Sequence, residues 1–138
     1  MINVAQHLVD HGIKPSAQRV AIMEYLMTHK THPTVEEIYS CLVQRLQTLS
    51  KTTVYNTLKL FSEHKAVLCL GIDEKEAHYD GDTSNHIHFK CKKCGRLFDI
   101  RLNDVPGSSQ IYRSILNGFI IDETHIYYKG ICNECSAM

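Results

Sequence analysis

Ser50-Lys51-Thr52-Thr53-Val54-Tyr55-Asn56-Thr57-Leu58-Lys59-Leu60-Phe61 is the stretch that decides the fold. Helical spacing puts Val54, Leu58 and Phe61 on one face, where they can meet a core, and Thr52, Tyr55 and Lys59 on the opposite face. Downstream, residues 67–72 and 76–80 read as two strands around the polar turn Asp73-Glu74-Lys75. Upstream, Thr34-Val35-Glu36-Glu37 has capping-box spacing, with Thr34 as N-cap and Glu37 as its reciprocal partner. Val35, Ile38, Leu42, Leu46 and Leu49 follow it at helical intervals. Further back, Lys14-Pro15-Ser16 precedes an amphipathic stretch with Val20, Met23 and Met27 on one face. Three helices followed by a hairpin is the winged-helix order, in which the third helix enters the DNA major groove and the hairpin touches the flanking backbone. Its outer face suits that role. Lys51 and Lys59 can meet phosphates, the Thr52 and Thr53 hydroxyls can bond phosphates or base edges, Tyr55 adds a flat surface with a hydroxyl, and Asn56 joins the set. The same pattern fits a solvated helix in a bundle, because helix-turn-helix signals are short and degenerate.

The second half changes character. Residues 86–91 and 97–102 read as strands, residues 108–116 as a helix ended by Gly118, and residues 119–129 as a further strand. The boundary falls near 81–85, giving expected domains of 1–82 and 83–138 in an α+β chain. A module of about 55 residues rarely stands on its own core and needs a metal, disulfides or a partner. Cys91-Lys92-Lys93-Cys94 and Cys132-Asn133-Glu134-Cys135 supply the donors: two C-x2-C knuckles offer four thiolates, the set a structural Zn2+ prefers. The 37 residues between them exceed a simple zinc ribbon, but intervening strands can return the second knuckle to the first. Disulfides and a thioredoxin-like redox pair are the competing readings. Cys41 and Cys69 stand apart and read as small apolar residues of a helix and a strand.

His86-Ile87-His88 places two imidazoles on one face of a strand. Asp80, at the end of the hairpin, and Asp99, on the next strand, are candidate partners. Such a nitrogen and oxygen donor set is harder than the thiolate one and suits Fe2+, Mn2+ or Zn2+. A pair of ordinary surface histidines is the alternative. A metal drawing on both halves would act as a switch, since its binding free energy would bias the angle between them.

Composition sets outer limits. The 138 residues are 43% hydrophobic and 22% charged, too apolar for a disordered chain. Fifteen basic residues balance fifteen acidic ones, so net charge does not announce a polyanionic partner. Residues 1–70 carry seven Lys+Arg against five Asp+Glu, and residues 71–138 eight against ten, a weak bias toward the first half. No apolar run approaches the ~20 residues of a membrane helix, and no leader pattern opens the chain, so a cytoplasmic protein without membrane partners is expected.

Together these features resemble the ferric uptake regulator family of metal-dependent DNA-binding repressors, and within it the peroxide-sensing type. Gln18-Arg19, His32-Pro33-Thr34 with Glu36-Glu37-Ile38-Tyr39, Thr53-Val54-Tyr55-Asn56-Thr57-Leu58 and His86-x-His88-x-x-Cys91-x-x-Cys94 fall in the family's order. The resemblance implies a homodimer, with a winged helix on a palindromic double-stranded operator and a small C-terminal α/β dimerisation domain. It implies structural zinc on Cys91, Cys94, Cys132 and Cys135, and a regulatory Fe2+ or Mn2+ site of His32, Asp80, His86, His88 and Asp99. Tyr55 would contact bases. An aspartate at position 99 is associated in the family with peroxide sensing and a glutamate with iron sensing. Iron would then react with hydrogen peroxide and oxidise His32 or His86, releasing DNA, while manganese would resist. A sensor consumed in this way is not an enzyme.

Some positions depart from the family pattern. Asn85, Ile87 and Pro106 occupy places that hold a further metal site in many members, and none is a strong ligand. His125 is one residue out of register with the usual histidine and is left out of the site. Iron-level or zinc-level sensing on the same scaffold is the near alternative. A small non-haem metalloenzyme, with open coordination positions on two histidines and a carboxylate, and a zinc-stapled interaction module that never touches DNA are the others.

Overall fold

A computed structural model describes residues 3–72, 75–84, 86–101 and 114–137, which form two compact units, Met1–Thr83 and Ser84–Met138. Four helices open the first unit: α1 (Val4–Asp10), α2 (Ala17–Thr28), α3 (Val35–Leu42) and α4 (Lys51–Glu63). The antiparallel hairpin of β1 (Leu68–Leu70) and β2 (His78–Asp80) follows, pairing Cys69 with Tyr79. Each helix begins on a polar side chain that accepts an otherwise orphaned backbone N–H: Asn3 from Gln6, Ser16 from Arg19, Thr34 from Glu37 and Ser50 from Thr53.

Val54, Leu58 and Phe61 of α4 are fully buried against Ile22, Met23 and Ile38 in one core. Burying each such side chain contributes roughly 1.5–3 kcal/mol. Three expectations for this unit need correction. Helix α1 precedes the three that were read, so the winged helix carries an additional N-terminal helix. Helix α3 stops at Leu42, and Leu46 and Leu49 pack from the turns that follow it. On α2 the deepest residues are Ile22, Met23 and Leu26, while Val20 and Met27 are only partly buried.

The second unit has a three-stranded sheet in the order β4-β3-β7, with β3 (Ile87–Cys91) antiparallel to β4 (Leu97–Ile100) and parallel to β7 (Tyr127–Gly130). Its other elements among the described residues are a two-stranded hairpin of β5 (Ile115–Leu116) and β6 (Phe119–Ile120) and the short helix α5 (Asn133–Ser136). The expected helix over 108–116 is corrected at its end, because Ile115 and Leu116 are strand residues paired with Ile120 and Phe119. The expected strand over 119–129 is two separate pieces, β6 and β7. Residues 108–113, Pro106-Gly107, Leu102, Asn85 and the turn residues Asp73 and Glu74 lie outside the described residues.

Among the described residues, the apolar cluster of this unit consists of the buried cysteines Cys91, Cys132 and Cys135, with Phe89 and Phe98 partly buried against them. Among the described residues that is far less apolar burial than the first unit has. A unit so small is expected to need a staple. Among the described residues, no helix is long and apolar enough to cross a membrane.

Candidate metal centre and nucleic-acid interface

The sulfur atoms of Cys91, Cys94, Cys132 and Cys135 all lie within 4.8 Å of one another. Four thiolates around one zinc at ~2.3 Å and tetrahedral angles stand about 3.8 Å apart, and Cys94 Sγ lies 3.9 Å from Cys132 Sγ. The backbone builds this cage. The first knuckle turns at Gly95, whose φ of 78° lies in the left-handed region that glycine enters without a Cβ penalty. The second knuckle runs into α5, with Cys132 at its N-cap. The N–H groups of Cys94 and Cys132 each donate to Cys91 Sγ at 3.4 Å. These bonds hold the Cys91 thiol down at about 6, whereas its hydrogen bond with Cys132 and burial push Cys135 up to about 12. Without a cation, four sulfurs this close cannot all carry charge; a divalent ion removes the conflict. Cys41 on α3 and Cys69 on β1 are exposed rather than packed as small apolar residues, and neither joins a metal-binding group among the described residues.

A nitrogen and oxygen constellation exists in each unit. In the first, His32 Nε2 lies 3.4 Å from Asp80 Oδ2, and both residues are buried. Strand β2 fixes this pair: Tyr79 N–H donates to Pro33 O at 2.9 Å, and His78 Nδ1 donates to His32 O at 2.6 Å. His32 has φ 56°, a left-handed conformation uncommon for residues with a Cβ and tolerated where surrounding structure holds it. Asp80 Oδ1 accepts the N–H of Asp82 at 2.9 Å, leaving Oδ2 facing the imidazole. Next to it, a Cβ on Gly81 would lie 3.2 Å from the Leu26 carbonyl oxygen, so the chain passes α2 closely there.

In the second unit, β3 and β4 pair His88 directly with Asp99, and the i, i+2 spacing puts His86 on the same face. Asp99 Oδ1 lies 3.2 Å from His86 Nε2 and 3.5 Å from His88 Nε2. The imidazole rings of His86 and His88 are 4.4 Å apart. His86 Nδ1 donates to Ser84 O at 2.7 Å, which orients the ring with Nε2 toward the carboxylate. Donors bound to one ion at ~2.1 Å sit about 3.0 Å apart at right angles and about 3.4 Å apart at tetrahedral angles, so each constellation has the spacing of ligands of a shared ion. His125 lies 3.4 Å from Glu123 and joins no metal-binding group among the described residues.

On α4, Thr52, Tyr55, Asn56 and Lys59 are exposed, and Tyr55 is 52% accessible. Two other residues expected on this face are engaged. Thr53 is half-buried, with its hydroxyl 2.9 Å from Ser50 Oγ in the N-cap network. Lys51 Nζ pairs with Glu36 Oε2 at 2.9 Å and lies 5.5 Å from the centre of the Tyr39 ring. A cleft of about 540 Å³ beside α4 is lined by Lys14, Arg19 and Asn56 among others, adding positive charge next to the exposed face. Sequence reading missed Glu36 as a partner of Lys51 and His78 as the support of the His32 loop; no sequence spacing signals either contact.

The Ferric uptake regulator family profile matches residues 10–129. A peroxide-responsive repressor PerR of Staphylococcus aureus is 35% identical over 126 residues, 90% of this chain and 83% of that protein. The peroxide operon regulator of Bacillus subtilis is 33% identical over 129 residues, 94% of this chain and 88% of that protein. The ferric uptake regulator of Pseudomonas aeruginosa, solved with manganese, superposes with a TM-score of 0.76 at 21% identity, over 96% of this chain and 99% of that one.

Proposed function

The chain belongs to the ferric uptake regulator family, and from that premise we propose that it is a homodimeric repressor that releases operator DNA when hydrogen peroxide oxidises its regulatory site. It is a metal-responsive transcription regulator, not an enzyme, as its named relatives are regulators and repressors. Peroxide as the signal rests on the relatives' names and on Asp99, the carboxylate that faces both His86 and His88. In this reading His32 and Asp80 from the N-terminal unit join His86, His88 and Asp99 on one Fe2+ or Mn2+. Cys91, Cys94, Cys132 and Cys135 hold the structural zinc, a contribution on the order of 10 kcal/mol to a unit with so little apolar core.

Ferrous iron held by these residues would supply the redox chemistry by which hydrogen peroxide oxidises an imidazole carbon, the electron it lends to the peroxide being returned by the ring. In this reading His32 and His86 are the rings that would take up the oxygen. The net change is one oxygen atom gained by the ring and one water released from the peroxide. An altered ring is a poorer donor, so the half of the site that it anchors lets go, and the bias toward the DNA-binding arrangement goes with it. The same donors accept manganese, which supports DNA binding without this reaction.

DNA would be read by α4 through Tyr55, Asn56 and the Thr52 hydroxyl, with Lys59 on a phosphate. Lys51 and Thr53 sit at the start of the helix, where their present partners must yield before they touch DNA. The exposed apolar residues Ile115, Leu116, Phe119 and Ile120 fit a dimer contact in the C-terminal unit.

The observation that carries the regulatory reading is the convergence of His86, His88 and Asp99 with ligand-like spacing. Sedimentation and fluorescence anisotropy on a palindromic duplex selected from a random library would test it. A dimer whose affinity falls at least about tenfold when manganese is chelated is expected, within the usual range of coupling between sites. Binding indifferent to the chelator, or a monomer on DNA, would refute the reading.

A further inference from the structure

Arg96 follows the first knuckle and touches both. Its carbonyl oxygen accepts the Cys91 N–H at 3.0 Å, its guanidinium pairs with Glu134 inside the second knuckle and interacts electrostatically with Cys94, and its carbon centre lies 5.1 Å from the middle of the Phe98 ring. Cys94 is the exposed member of the four cysteines, the other three being buried. It is the sulfur through which a competing ligand would enter.

We propose that Arg96 is a positioning residue that clamps the two knuckles across the exposed Cys94 and thereby sets how slowly the zinc site gives up its metal. The proposal rests on the reading of the four cysteines as a zinc site. The physical argument has three parts. A zinc with four thiolates carries a net charge of about −2, and a guanidinium against the outermost sulfur offsets part of it. The fork of Arg96 can serve Cys94 and Glu134 together, which a lysine ammonium on a flexible stem does less well. Phe98 supports the flat face of the guanidinium and limits its swing. The Arg96–Glu134 pair is too exposed to matter much for global stability, with side-chain accessibilities of 52% and 70%. Its effect belongs to the local opening of the cage.

The test uses the full chain loaded with zinc, and compares wild type with Arg96→Gln, Arg96→Lys, Glu134→Gln and the double variant Arg96→Gln with Glu134→Gln. Zinc transfer to a chromophoric chelator is timed, and the Co2+-substituted proteins are examined by absorption spectroscopy. Arg96→Gln should speed metal transfer about tenfold, at the lower end of what groups that hydrogen-bond metal ligands usually contribute. Its sulfur-to-cobalt charge-transfer band should move to lower energy while the tetrahedral d–d bands stay in place. Arg96→Lys should recover only part of the retention. Glu134→Gln should give a smaller acceleration and add little on top of Arg96→Gln, as partners in one clamp do. Equal transfer rates and an unmoved charge-transfer band in Arg96→Gln would overturn the clamp. If Arg96→Gln does not fold, an unchanged rate in both Glu134→Gln and Arg96→Lys overturns it just as well. Wild-type protein purified with no zinc would instead overturn the zinc reading beneath it.

Discussion

Tyr55 shows how one side chain divides its work between surface and helix. It lies half-exposed on α4, one position after Val54, which is fully buried. Tyr55→Ala should therefore leave stability nearly unchanged and weaken operator binding by roughly tenfold or more, the size of a lost base contact, as read by anisotropy titration beside a melting curve. Lys51 makes the opposite case. Glu36 holds it at 2.9 Å, so Glu36→Gln should free the ammonium for a phosphate, tighten binding and steepen the dependence of log K on log salt by about 0.9 per protomer. An unchanged slope would mean that Lys51 stays away from DNA. At this scale the sequence is uneven in what it reveals. The opposed faces of α4 follow from helical spacing alone, whereas the Lys51–Glu36 contact joins separate helices and has no sequence signature. His32 was hidden for the same reason: it is a loop histidine beside proline, and its closeness to Asp80 arises only when β2 hydrogen-bonds to residues 32–33.

Among elements, starts were easier to read than ends. Thr34 caps α3 through Glu37 N–H at 3.2 Å, and the Glu37 carboxylate returns to the Thr34 hydroxyl at 3.3 Å, so the N-cap half of the expected capping box is present. Thr34→Ala should cost about 1 kcal/mol of unfolding free energy, measurable by denaturant titration, and should loosen the adjacent His32 loop. Apolar periodicity did not stop where the helix does, because Leu46 and Leu49 reach the core from turns as well as a helix would deliver them. Strand β3 was legible from alternation, but its register against β4, which sets His88 opposite Asp99, depends on where the intervening turn closes. The C-terminal elements also test the division between the metals. Cys94→Ser should impair folding or dimerisation, while Asp99→Ala should stay folded, keep its zinc and bind DNA poorly even with added manganese. Equal stability of the two variants, each merely weak on DNA, would undo that separation.

For the whole molecule, the proposed regulation requires that metal binding and DNA binding share one free-energy difference between arrangements of the two units. A metal that binds both arrangements equally well shifts nothing. In the proposed site, ligands drawn from both units would supply such a difference, and oxidising one of them would remove it. The most direct measurement loads the protein with Fe2+ in the absence of oxygen, adds equimolar hydrogen peroxide and maps the products by peptide mass spectrometry, with Mn2+-loaded protein in parallel. The account predicts one added oxygen on His32 or His86 in the iron form alone, together with loss of operator binding. Unmodified histidines, with operator binding that follows only the concentration of iron or zinc, would contradict peroxide sensing and leave a sensor of metal level on the same scaffold.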